Sequence, residues 1–514
     1  MRVLNQKIHT GLFTVLYILW SLLVLVCTPN VTLNSLVIYK FIFLLAIYFA
    51  ARCISSPNTV FTVLMFLGLV QAIVAIVQLS GIIKSNHSIF QITGLMGNPG
   101  QLGGFQAVSF VSSITLLVQM DFKPGRRSLV AVACLVILFS LIIADSRAGW
   151  VATVLGIAVL FSRQIVDFAR SRKWLIAVLL AITAIFAIGL YHYRPLSADA
   201  RLMIWQISTS MVGDIPWVGF GYGGFVRHYM LYQARYFEHA SSPLAAVADN
   251  VSYPYNEFLH IAVEQGLVGL ALFIAVIVTT IRATEDRRLT APLVAFLFFS
   301  CFSYPLSKLE LAFLLPLLSG CLHGLSDSHK RIRIPIGLVS FVLVIFASGI
   351  MIVQKSHFNE TLAGVYRENG YCENLTLIHS YARDNIHDIE TNSRYASVLN
   401  EFPELVTSES IKSLLPNCEN LCTIAEFHIR NKDYQSAETA LQTAALMVPT
   451  RLKPHYLLWR LYRETGNEES AEEVGKHILS MHLKTENTYT LRVKQEIRES
   501  MKKTITTHSH ETLY

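Results

Sequence analysis

Long apolar runs separated by short polar loops fill the first two thirds of the chain, and the last third lacks them. Runs able to cross about 30 Å of hydrocarbon at 1.5 Å per residue fall near 11–28, 34–53, 58–80, 101–120, 128–144, 147–162, 173–191, 257–281, 289–305, 308–325 and 333–353. The pattern predicts eleven spans. Within 289–325 it allows either a tight hairpin of two short spans around Tyr304-Pro305 or one span with a re-entrant piece. The run at 11–27 follows a basic N-terminus, as a signal peptide would. No small-residue cleavage site follows, so it is read as a retained first span.

After position 353 the periodicity becomes that of a helical repeat. Asp433-Tyr434-Gln435-Ser436-Ala437 recurs as Asn467-Glu468-Glu469-Ser470-Ala471, 34 positions later, which is the tetratricopeptide period. Ala437, Ala440 and Ala444 supply small residues where paired helices approach, and Pro449 supplies a stop. A continuous core needs at least about three such units, so 356–420 is read as degenerate repeats. Passive scaffolding and docking of a partner or acceptor are both open for this module. The predicted organisation is an all-α polytopic membrane domain at 1–353, with a large loop at 192–256, and a helical-repeat domain at 354–514.

Charge fixes the orientation. Basic clusters alternate with nearly uncharged loops: Arg2/Lys7, Arg52, Lys123/Arg126/Arg127, Arg163/Arg170/Arg172/Lys173, Arg282/Arg287/Arg288 and Lys330/Arg331/Arg333. Because basic residues accumulate on the cytoplasmic side, the N-terminus is expected inside, with 81–100, 192–256 and everything after 353 outside. The composition, 53% hydrophobic and 15% charged, agrees with a lipid-soluble bulk. The net charge of +7 does not point to nucleic acid, since the basic residues flank apolar runs. Five of the eight cysteines lie in apolar runs; Cys372, Cys418 and Cys422 lie in the tail, where one disulfide and one free thiol are possible. No cysteine–histidine spacing suggests a metal.

Charged residues at the outer edges of spans are costly enough to single out. Lys40 and Arg147 are two, each open to a bland reading as a snorkelling side chain. In the large loop, Ala200 through Trp205, with Arg201 among them, start an amphipathic helix that runs to Val212 and that Asp214-Ile215-Pro216 ends. Gly219-Phe220-Gly221-Tyr222-Gly223-Gly224 follows, a cluster that permits close backbone approach to a ligand, with aromatics that either stack on sugars or pack. The loop re-enters the membrane at Tyr255-Asn256-Glu257-Phe258-Leu259-His260, with Asp249 just upstream. Asn256, Glu257 and His260 there suit either an acceptor or phosphate site at a helix N-terminus, or plain capping and interfacial solvation.

These residues resemble the O-antigen ligase and polymerase superfamily, which also includes bacterial protein O-oligosaccharyltransferases. The resemblance covers most of 90–330 and rests on Gly94-Leu95-Met96-Gly97-Asn98-Pro99-Gly100, Ser146-Arg147-Ala148-Gly149-Trp150, Arg201 with Trp205, Asp214 through Gly221, and Asn256-Glu257-Phe258-Leu259 with Glu264-Gln265-Gly266. The tetratricopeptide-like tail looks like an architecture found in Bacteroidetes members. The resemblance implies a membrane glycosyltransferase of GT-C-like architecture in the bacterial inner membrane, with its loop and tail periplasmic. It implies transfer of a glycan from undecaprenyl diphosphate to a hydroxyl of lipid A core, protein or another glycan, without metal or cofactor. Arg147 and Arg201, with Lys40, would hold the diphosphate. Tyr255, Asn256, Glu257 and His260 would form the catalytic segment, and Asp214, Gly219, Gly221, Tyr222 and Asp249 the glycan or acceptor loop. The ligases carry a histidine where this chain has Tyr255. The base is then open among Glu257, His260 and Asp249, or dispensable if Asn256 orients the acceptor. A polymerase, and a non-enzymatic transporter or scaffold for polysaccharide export, are the competing readings. A transporter would place polar groups at mid-span on broken helices.

Overall fold

A computed structural model describes residues 2–511 except 30, 33–34, 55, 86, 172–173, 175–188, 190, 239–242, 326–332, 368–374 and 482–486. The described residues form helices and no strands. In the membrane domain these are α1 (Arg2–Cys27), α2 (Leu36–Arg52), α3 (Pro57–Leu79), α4 (Pro99–Gln119), α5 (Pro124–Ile143), α6 (Arg147–Leu160) and α7 (Ser162–Ser171). The large loop carries α8 (Pro195–Asp214) and α9 (Gly224–Glu238), followed by α10 (Glu257–Arg282), α11 (Arg287–Ser300), the single turn α12 (Leu309–Ala312) and α13 (Leu314–Gly324). A 35-residue helix, α14 (Arg333–Arg367), leads into α15 (Leu375–Asp384), α16 (Ile389–Glu401), the turn α17 (Ser408–Ile411), α18 (Cys418–Arg430), α19 (Tyr434–Met447), α20 (Leu452–Glu464), α21 (Glu468–Ser480) and α22 (Thr488–Glu511).

Five of these are long and apolar enough to cross a membrane: α3, α4, α5, α10 and α14; a sixth arises if the bent pair α6–α7 counts as one. At the other expected positions lie the short apolar stretch Gly11–Cys27 of α1 and the shorter helices α2, α11 and α12–α13, while the expected span at 173–191 lies largely outside the described residues. At 289–325 the chain breaks over Cys301–Lys308 between α11 and the short α12–α13 pair. α4 is the axis of the domain. Of its apolar window 83% is buried, against 17–44% in the other four. Glycines let its neighbours close in: a Cβ on Gly103 would lie 2.2 Å from Ser146 Cβ, and one on Gly104 2.3 Å from the Phe299 ring. Small residues play this part at membrane helix interfaces.

A second core joins tail and loop. Ile207, Met211, Phe225 and Tyr229 of α8 and α9 are packed with Ala437, Leu441, Leu458 and Ile478 of the tail in one buried cluster. The repeat read from the 34-residue offset appears as two equivalent helix starts. Asp433 accepts from Ser436 N and Asn467 from Ser470 N, each at 3.2 Å, capping α19 and α21. The boundary expected near 353 falls inside α14, which runs unbroken from apolar to polar sequence. In the tail Cys418 and Cys422 are buried free thiols; Cys372 lies outside the described residues.

Candidate active site at the loop-to-membrane elbow

The elbow is built by the entry into α10. Asn256 caps the helix, its Oδ1 accepting from Leu259 N at 3.1 Å. Tyr255, immediately before it, takes φ +53°, a left-handed conformation that turns the chain into the helix. Trp205 of α8 fixes the approach by donating from Nε1 to Pro254 O at 2.9 Å. The helix α8 starts at Pro195, five residues before the start expected from sequence, and that added turn carries Ser197.

On one side of the elbow the structure gathers arginines. Arg147, first residue of α6, donates to Ser197 Oγ at 3.0 Å. Arg201, one turn further along α8, lies over the Tyr255 ring at 5.2 Å. Burial lowers the Arg201 pKa, and the nearby charge of Arg147 lowers it further, yet a guanidinium starts so high that it stays charged at neutral pH. Burial raises the Tyr255 phenol against the opposing pull of Arg201, so it remains protonated there. Arg194, which sequence reasoning missed, pairs with Asp145. Its one signal was its place just before the helix-starting Pro195. Tyr304, also missed, meets the Tyr255 ring edge-on at 5.2 Å, stacks on Tyr253 at 4.1 Å and accepts from Asn98 Nδ2 at 3.0 Å.

On the other side a cavity of about 1040 Å³ opens between α1, α2, α10 and α14, lined among others by Lys40, Tyr222, Glu257, His260, Lys355 and His387. Glu257 is 1% exposed and accepts from Leu306 N at 2.6 Å. Its other oxygen lies 3.3 Å from His260 Nδ1, while His260 Nε2 lies 3.2 Å from Glu264. With carboxylates facing both ring nitrogens, His260 is committed to this chain of three. Lys40 donates to Ser307 O at 3.0 Å within the cavity. It is thus grouped with Glu257 rather than with Arg147 and Arg201, which do not line this space. The separation follows from tertiary packing of α2 against α13 and α14, which sequence alone does not reveal.

The glycine cluster approaches the chain's own backbone. α10 breaks at Gly266 (φ +69°, ψ −177°), and the loop pairs with the groups around the break: Phe220 N donates to Val263 O at 2.8 Å, Gly221 N to Glu264 O at 2.9 Å, and Leu267 N to Pro216 O at 2.7 Å. Buried backbone groups need such partners. Gly219 must lack a side chain because a Cβ would sit 2.6 Å from Gly266 N. Tyr222 alone of this cluster's named candidates reaches the cavity, where its hydroxyl accepts from Gln265 Nε2 at 3.4 Å. Asp214 accepts from the Tyr232 hydroxyl, and Asp249 pairs with Arg451 of the tail at 2.8 Å, so both serve the loop's own structure.

The stretch holding both arginines and the elbow is also the stretch with known relatives. Residues 132–274 match the family described as O-Antigen ligase. No curated protein matches the chain. The matched segment begins in α5, takes in Arg147, Arg201, Tyr255, Asn256, Glu257 and His260, and ends just beyond the Gly266 break. Over residues 132–274 the chain is thus similar to the O-antigen ligase family, whose members are glycan ligases and polymerases, and its apolar helices mark it as a membrane protein.

Proposed function

We propose that this protein transfers a glycan from undecaprenyl diphosphate to a hydroxyl acceptor at the outer face of the bacterial inner membrane. The observation that carries the reading is the meeting of Arg147 and Arg201 beside Tyr255, at an elbow whose other side opens into a large cavity. In the reaction the acceptor oxygen bonds to the anomeric carbon, the bond from that carbon to the phosphate oxygen breaks, and the diphosphate leaves with the electron pair. Developing negative charge on the leaving group is what fixed guanidiniums stabilise, and no metal is required for it. Arg147 and Arg201 hold the diphosphate. Lys40 adds positive charge on the cavity side, near the carboxylates.

Asn256 and Glu257 face the acceptor. Tyr255 is no base at neutral pH, because its phenol holds its proton; its ring supports Arg201 instead. Glu257 takes the acceptor's proton, and His260 and Glu264 behind it share the added charge. The loop and tail lie on the periplasmic side, eleven spans cross the membrane, and the tail is a tetratricopeptide-like module.

The test is transfer by purified protein from lipid-linked glycan. Arg201→Ala and Arg147→Ala are each expected to lose about 10²-fold or more in rate while still inserting in the membrane. Full activity in the Arg201→Ala protein removes the clamp. Gene deletion followed by gel profiling of lipopolysaccharide, capsule and glycoproteins identifies the acceptor, as the class that loses its glycan.

A further inference from the structure

At the far end of the membrane domain from the elbow, α7 leaves α6 at an angle of 74°. Its charged residues share one face. Arg163, Asp167 and Arg170 recur at i, i+4 and i+7 with Val166 among them, while Ile165 and Phe168 occupy the other side and are 39% and 56% exposed. A short amphipathic helix turned across the direction of an apolar one suits the plane of the bilayer surface, its apolar face toward acyl chains.

The charged face is solvent-exposed and turned toward the rest of the domain. It forms one wall of a cleft of about 910 Å³, whose other wall is the end of α10 and the start of α11. Arg163 and Arg170 meet Arg282 and Arg287 there, against the two acids Asp167 and Glu285. Among the described residues none of these four arginines forms an ion pair. The neighbouring Arg288 differs, being neutralised by Asp286 through Nε to Oδ1 at 2.9 Å and Nη2 to Oδ2 at 2.8 Å. The cleft therefore keeps a positive excess, four arginines against two acids. Val159, Ile281 and Val294 line it too and add an apolar part.

We propose that this cleft binds the headgroup of an anionic phospholipid from the surrounding bilayer. The guanidiniums take the phosphodiester and its anionic neighbour groups, and the acyl chains run along the apolar residues beside α6 and α11. Clustered basic residues between helices at a membrane surface suit such headgroups, and guanidinium is the side chain best matched to phosphate oxygens. The apolar lining favours an amphiphile over a soluble phosphate. The inference does not depend on the glycan-transfer reading, because its readout is lipid bound rather than glycan moved.

The test is native mass spectrometry of the full chain, stripped of lipid in a zwitterionic detergent and titrated with phosphatidylglycerol, phosphatidylcholine or inorganic phosphate. Phosphatidylglycerol is expected to bind as a single lipid at a small molar excess, with affinity falling about tenfold or more in the Arg163→Gln, Arg170→Gln, Arg282→Gln, Arg287→Gln protein. If that protein fails to fold, the Arg170→Gln, Arg287→Gln pair is measured instead, with the same direction expected. Arg126→Gln with Arg127→Gln, in the separate basic cluster of α5, should leave the affinity unchanged. Equal binding of phosphatidylcholine, an equal loss in the α5 control, or displacement of the lipid by inorganic phosphate at matching concentration would each overturn the proposal.

Discussion

Arg201 and Tyr255 show what a residue pair contributes beyond its charges. The guanidinium is desolvated, braced by an aromatic face, and pushed by a second arginine, so it is held in place before any substrate arrives. Lysine keeps the charge but has neither the planar fork nor the stacking surface. Arg201→Lys is therefore expected to lose at least about tenfold in kcat/KM, measured with lipid-linked donor. Tyr255→Phe keeps the ring and removes only a hydroxyl that stays protonated, so transfer within about threefold of the parent protein and an unchanged pH profile are expected. A lost alkaline or neutral limb in that variant would instead show Tyr255 acting as a base. At this scale the sequence revealed Arg147, Arg201 and the Asn256 cap, because motif and helix-start signals are local. It did not reveal Arg194 or Tyr304, whose roles come from contacts 49 residues away in each case: Arg194 with Asp145 and Tyr304 with Tyr255.

Among the elements, the broken helix α10 and the glycine-rich loop depend on each other. Gly266 takes a backbone conformation that residues with a Cβ avoid, and a Cβ there would come within 2.1 Å of Trp217 O. Gly266→Ala is expected to cost about 3 kcal/mol or more, seen as a lower thermal midpoint in detergent, with transfer lost in proportion. The cluster's glycines were visible in the sequence, and so was the expectation of close backbone approach. The partner was not, since nothing in the spacing says that the approach is to residues 263–267 of the same chain.

The tail is tied to the same elbow. Asn250 Oδ1 accepts from Cys418 N at 3.2 Å, and its amide donates to Glu419; Arg451 bridges Asp249 and Glu419 at 2.8 and 3.1 Å. Gln233, fully buried, donates to Met447 O at 2.6 Å and to Asp249 O at 3.1 Å. Exposed ion pairs contribute little to stability, whereas a buried bridge that leaves carbonyls unpaired costs about 1–3 kcal/mol per group. Gln233→Leu is thus expected to lower stability and transfer together, while Arg451→Ala changes the thermal midpoint little. Equal midpoints for Gln233→Leu and the parent protein would show that this tie does not brace the elbow.

For the whole molecule, the sequence revealed an apolar front and a helical back, with the 34-residue offset marking two capped helices at Asp433 and Asn467. It did not reveal that loop and tail share one core, because that core assembles residues more than 200 positions apart, such as Phe225 and Leu441. The tail also carries a pH response. Burial, with the adjacent His477, brings the His455 pKa down from 6.5 to about 4. Unfolded chain binds the proton first, so stability is intact above about 6.5 and is lost as pH falls toward 4. Hydrogen exchange in α20 and α21, corrected for intrinsic rates, should rise over that window, and His455→Phe should flatten the rise.

The unbroken α14 has a geometric consequence. Thirty-five residues at 1.5 Å each give a rod of roughly 50 Å, of which about 30 Å suffices for the hydrocarbon. The remaining roughly 20 Å does not stand free: Phe358, Leu362 and Val365 are buried with Ile378 and Tyr395, and the following helices are pinned to the α1–α2 loop by Ser35 Oγ donating to Asp384 O at 2.6 Å and Leu36 N to Asn385 Oδ1 at 2.7 Å. Whole helical turns inserted into α14 would tear these latches open, so the length of the rod is fixed by what its far end is fastened to.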